Sequence, residues 1–121
     1  MKILKSFSYA WSGLKYCFTT QTNFKIHLFF AALAILLSLN FHVSILEWLI
    51  ILLCMMSVLG IEMVNTAIEK LCDVAQTEFH PGIKTVKDIS AGAVLVSAMV
   101  SLIIGGIIFI PKIIISLNFG K

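Results

Sequence analysis

From Ile89 to Ile110 the chain carries no charged residue, and Pro111-Lys112 follows at once. About 20 apolar residues in a helix are enough to cross the ~30 Å hydrocarbon core of a bilayer. Lipid offers no hydrogen bonds, so a lone spanning segment has to be helical, satisfying its own backbone. Two further runs read the same way. Trp48 to Ile61 contains no charge, and Phe24 to Leu39 is shorter and ends at Asn40-Phe41-His42. The composition agrees: 60% of the 121 residues are hydrophobic, mean hydropathy is +1.03, and only 12% are charged, about half the share of a globular domain. The expectation is an all-α integral membrane protein forming a single domain over residues 1–121. It has an N-terminal amphipathic surface helix at 1–19 and transmembrane helices at 24–40, 44–74 and 85–111.

The surface helix follows from its pattern. Ile3, Leu4, Phe7, Trp11, Leu14 and Phe18 form one stripe, with Lys2, Lys5, Ser8, Ser12 and Lys15 elsewhere, as in a helix lying in the membrane interface. Lysine placement sets the orientation. Lys2, Lys5, Lys15 and Lys25 precede the first span, Lys70, Lys84 and Lys87 fall between the second and third, and the first connecting loop has none. By the positive-inside rule the N-terminus and second loop face the cytoplasm. The nine cations, all Lys, are too few and too dispersed for nucleic acid. Cys17, Cys54 and Cys72 have neither disulfide nor zinc spacing. No long apolar stretch with a small-x-small site opens the chain, so no cleaved signal is expected. Lys25, His27 and His42 are read as interfacial residues, and Glu47 as an outer interface residue beside Trp48.

Chemistry enters with Glu62, Asn65, Glu69 and Asp73, spaced 3, 4 and 4 and therefore on one helical face. Carboxylates at membrane depth cost several kcal/mol unless paired, hydrated or bound to a cation, so they mark function. At ~1.5 Å rise per residue, Glu62 lies about 16 Å along the helix from Asp73, making Glu62 the deep group and Asp73 the shallow one. Two arrangements relieve the repulsion: protonation, as in a proton-coupled carrier, or a divalent cation with a bound polyphosphate. Lys84 and Lys87 near a helix N-terminus suit phosphate, and Asp88 could orient Lys87 or help hold the metal. Thr77-Glu78-Phe79-His80-Pro81 places polar groups within a nucleotide's reach.

The segment GIEMVNTAIEKLCDVAQTEFHPGIKTVKDISAGAVL, Gly60 to Leu95, resembles the prokaryotic diacylglycerol kinase family. The pattern E-x2-N-x3-E, then D, E-F-H and K-D-x4-A is specific, and the likeness covers nearly the whole chain. Tyr9-Ala10-Trp11-Ser12-Gly13-Leu14 and Asn23-Phe24-Lys25-Ile26-His27-Leu28 also agree, the latter resembling the undecaprenol-kinase-like branch.

The resemblance implies a homotrimeric ATP-dependent lipid kinase in the bilayer, with sites between subunits, moving the γ-phosphate of MgATP to a lipid hydroxyl. Carried over by position, Glu62 would be the general base and Asn65 would hold its geometry. Glu69 would coordinate Mg2+ and touch the nucleotide with Tyr9, Glu78, Phe79, His80, Lys87 and Asp88, while Trp11 would join Glu62 and Asn65 at the lipid substrate. One departure stands out. The family's second metal-binding Glu is Gln21 here, which offers a carbonyl oxygen without charge. The family's N-terminal Arg is also absent, with Lys2 or Lys5 as the substitute. The acceptor is either undecaprenol or diacylglycerol. The competing function is a proton-coupled transporter subunit using Glu62 as proton site; it has no use for Lys87-Asp88 or Glu78-x-His80.

Overall fold

The computed structural model describes residues 1–120 as four helices. In order they are α1 (Lys2–Thr20), α2 (Thr22–Asn40), α3 (Ile45–Ala75) and α4 (Pro81–Phe119). The last three are long and apolar enough to cross a membrane.

The junctions follow local chemistry. Gln21 alone is extended, turning the chain from α1 into α2. Between α2 and α3, His42 adopts a positive φ of 50°. Ser44 then caps α3 by a reciprocal box, its hydroxyl accepting the Glu47 N–H while Glu47 accepts the Ser44 N–H. At the start of α4, His80 Nδ1 accepts the Gly82 N–H at 3.0 Å, and Pro81 occupies the first turn, where its missing N–H costs nothing.

Helix α4 packs chiefly on α3, α2 also lies on α3, and α1 touches α2 and α3. A small apolar core of Val43, Ile51, Ile108 and Phe109, backed by Leu37, Trp48 and Ile104, sits by the α2–α3 turn. Beside it Lys112 Nζ meets Glu47 Oε2 at 3.1 Å. Only 17% of each span's most apolar stretch is buried within the chain, so most of its apolar surface is left for lipid or for other subunits.

The helices outrun the expected bounds. Helix α2 opens at Thr22 and α4 at Pro81, and α4 does not stop at Pro111-Lys112 but continues to Phe119. Proline removes one backbone donor and crowds the carbonyl four residues earlier, a defect membrane helices accommodate by local adjustment. The Lys112–Glu47 pair then ties the segment beyond the proline to the start of α3.

Candidate active site

Exposure rises along one face of α3. Glu62 is 2% exposed, Asn65 6%, Glu69 is half-buried and Asp73 is open. Exposure on the single chain thus rises in the same order as the positions along the helix. Each rung has distinct partners. Asn65 joins two helices: its Oδ1 accepts the Ser90 hydroxyl of α4 at 2.7 Å, and its Nδ2 donates to Glu69 Oε1 at 3.4 Å. These two bonds also fix which end of the amide is oxygen. Thr66, one position beyond Asn65, returns its hydroxyl to the Glu62 carbonyl at 3.0 Å.

Glu62 is the exception. Its Oε2 is buried and receives no hydrogen bond. Facing it at 3.8 Å is Nε2 of His27, from α2. The packing of α2 on α3 thus turns the His27 side chain inward, toward α3. From α1, Cys17 is buried at the same level. Burial pushes its thiol above the usual value of 9.0; the Thr66 hydroxyl opposes this and the Glu62 charge adds to it.

The basic groups pair differently from the expectation. Asp88 pairs with Lys84 one helical turn away, not with its neighbour Lys87. Lys87 Nζ instead reaches across to Asp73 Oδ1 at 2.6 Å. Adjacent residues on a helix diverge by about 100°, so Lys87 and Asp88 cannot share a partner easily, whereas positions i and i+4 can. Lys70 holds neither Glu62 nor Glu69; its ammonium lies 5.5 Å from the centre of the Tyr16 ring, within cation–π range.

Other expected site residues stay at the surface of this single chain. Tyr9, Trp11, Glu78, Phe79 and His80 are all exposed. The Gln21 amide nitrogen turns to the Thr20 hydroxyl at 3.1 Å. Among the described residues no group of three His, Cys, Asp or Glu side chains forms a metal cluster. Glu69 carries a carboxylate and Gln21 an amide oxygen, oxygen donors of the kind Mg2+ takes beside phosphates and water.

Two cavities lie between the helices. One of about 460 Å3 lies between α2, α3 and α4, walled by apolar groups such as Phe30, Leu37, Met55, Val58 and Leu102, with His27 in its wall. The other, about 320 Å3, lies between α3 and α4 beside Asn65 and Ser90.

The family model of prokaryotic diacylglycerol kinase matches residues 8–109, a stretch that contains the ladder and the Lys87-Asp88 pair. The chain belongs to the prokaryotic diacylglycerol kinase family. It is 38% identical over 112 residues to the undecaprenol kinase of Bacillus subtilis, covering 93% of this chain and 91% of the relative. It is 35% identical over 113 residues to the diacylglycerol kinase of Synechocystis, covering 93% and 65%. Against the diacylglycerol kinase of Escherichia coli K12, identity is 26% over 102 residues, or 84% of each chain.

Within this family frame, sequence reasoning missed three residues: His27, Ser90 and Cys17. Ser90 had a faint signal, a hydroxyl two positions after Asp88 at the head of an apolar run. His27 had one too, as an imidazole inside a short span. Neither spacing reveals a partner on another helix.

Proposed function

We propose that this membrane lipid kinase transfers the γ-phosphate of ATP to the hydroxyl of undecaprenol in preference to diacylglycerol. Family membership makes it a lipid kinase, and the relative at 38% identity named undecaprenol kinase supports the acceptor. The observation that carries the mechanism is Glu62: a carboxylate 2% exposed, at the deep end of a polar ladder, with one oxygen unpartnered. Such a group has reason to persist where a hydroxyl will meet it.

In this reading Glu62 accepts the lipid hydroxyl proton as the oxygen attacks phosphorus. Asn65 fixes the geometry through Ser90 and Glu69. Glu69 and the Gln21 amide oxygen hold Mg2+, which when bound neutralises phosphate charge. Tyr9, Glu78, Phe79, His80, Lys87 and Asp88 meet the nucleotide, and Trp11 lies with the lipid. Lys87 and Asp88 exchange their present partners, Asp73 and Lys84, for it. Phosphoryl transfer asks mainly for positioning and charge neutralisation, which this set supplies. The active site faces the cytoplasm, on the side of the lysine-rich segments. The working form is a homotrimer, a reading supported by the bare apolar faces of the spans and by nucleotide residues lying open on one chain. Nothing in the fold or the relatives favours a proton-coupled transporter.

The test is a mixed-micelle assay with labelled MgATP, offering undecaprenol and diacylglycerol in parallel, with Glu62→Gln as control. Label enters undecaprenol with the higher kcat/KM, and Glu62→Gln abolishes transfer while ATP binding and assembly persist. Normal turnover by that variant removes Glu62 as base.

A further inference from the structure

A carboxylate with one buried, unpartnered oxygen is costly unless a neighbour stabilises its charge or removes its proton. Each packed helix brings a group toward Glu62. Helix α1 brings Cys17, whose thiol burial keeps neutral. On α3 itself stand Thr66 and Glu69. Helix α4 faces the ladder with Ser90 and, toward the exposed end, Lys87. Helix α2 brings His27, whose Nε2 lies 3.8 Å from the unpartnered Oε2. Of these, His27 is the group that both takes up and releases a proton near neutral pH. The gap exceeds a direct hydrogen bond of ~2.7–3.2 Å. His27 also lines the 460 Å3 cavity, and its side chain is 19% exposed.

We propose that His27 is a proton-relay residue behind Glu62: its neutral Nε2 takes the proton that Glu62 receives from the lipid. This rests on the reading of Glu62 as general base. In the step, the lipid O–H bond breaks and its electron pair forms the new O–P bond. The bond between the γ-phosphorus and the β,γ-bridging oxygen breaks, and ADP leaves with that pair. The proton passes to Glu62, then to the lone pair on neutral His27 Nε2, and from the imidazolium to water. Glu62 is thereby returned to the carboxylate for the next turnover.

The experiment compares wild type, Glu62→Gln, His27→Gln and His27→Ala in undecaprenol micelles with labelled MgATP, with and without added imidazole, across pH. His27→Gln keeps a side-chain donor but cannot carry a proton. Its kcat falls about 10-fold or more, toward the range seen for lost acid–base groups, with KM for ATP and lipid unchanged. His27→Ala loses kcat similarly, and imidazole restores it in proportion to its free-base fraction, while Glu62→Gln gains nothing. A wild-type kcat in His27→Gln overturns the relay. So does a His27→Ala enzyme of normal assembly that imidazole leaves inactive, because a role in packing alone gives no response to a soluble base. If wild type labels no lipid, the parent reading has failed and the relay falls with it. Wild-type activity with a silent Glu62→Gln keeps the parent reading whatever the His27 variants show.

Discussion

Ser90→Ala removes one hydroxyl and tests how Asn65 is held. The Ser90 hydroxyl donates to Asn65 Oδ1 at 2.7 Å, and both residues are buried. In a water-soluble protein, leaving a buried acceptor unsatisfied costs about 1–3 kcal/mol. In membranes, measured interhelical hydrogen bonds average only ~0.6 kcal/mol and reach ~1.7, since the reference state in lipid finds other partners. The membrane figures govern here, and the 2.7 Å geometry places this bond in their upper half, at about 1 kcal/mol. If the same energy holds the Asn65 amide in its working orientation, the rate falls about 5-fold, a tenfold change being ~1.4 kcal/mol. The assay pairs kcat in undecaprenol micelles with stability against denaturing detergent, for Ser90→Ala and for Ser90→Thr, which keeps a hydroxyl. Loss of kcat and stability in the alanine variant with recovery by threonine is the expected result. Wild-type values for Ser90→Ala refute the idea that α4 positions Asn65.

Gln21→Glu restores a charged oxygen ligand and lowers the Mg2+ concentration for half-maximal activity; an unchanged Mg2+ titration removes position 21 from the metal shell. Lys112→Met breaks the pair with Glu47, each side chain about a quarter exposed, and lowers stability only slightly, as loss of an ion pair outside the core does. Because the pair sits beside the core at the α2–α3 turn, kcat stays unchanged; a catalytic defect shows instead that the two ends of the bundle are coupled. Cys17 has its thiol held above 9.0 by burial, so the neutral form is favoured in the fold. The stabilising share of that shift is complete below the unfolded value and disappears as pH climbs through the folded one. Iodoacetamide labelling of Cys17 is therefore slow at pH 8 and accelerates at higher pH, and a native rate at pH 8 equal to the unfolded rate disproves the burial.

The three spans were legible because a bilayer imposes its thickness on the chain. A charge-free run such as Ile89–Ile110 has few other solutions. The carboxylate ladder was legible too, since helical spacing alone places Glu62, Asn65 and Glu69 on one face and orders their depth. What sequence could not supply was every relation between helices. Proline chemistry argues for a stop at Pro111, yet α4 runs on to Phe119, with Lys112 paired across to Glu47 at the start of α3. Lys87 and Asp88 are neighbours in sequence, yet helix geometry sends one to Asp73 and the other to Lys84. His27 read as an interfacial residue because nothing near it in the chain is acidic; only the packing of α2 on α3 brings it to Glu62. Ser90 is one serine among several until α4 docks it on Asn65. Periodicity and hydropathy act within a single helix, so sequence determined the spans and the ladder. Register and rotation between helices arise from side-chain packing across many residues, and these decided which groups meet the ladder.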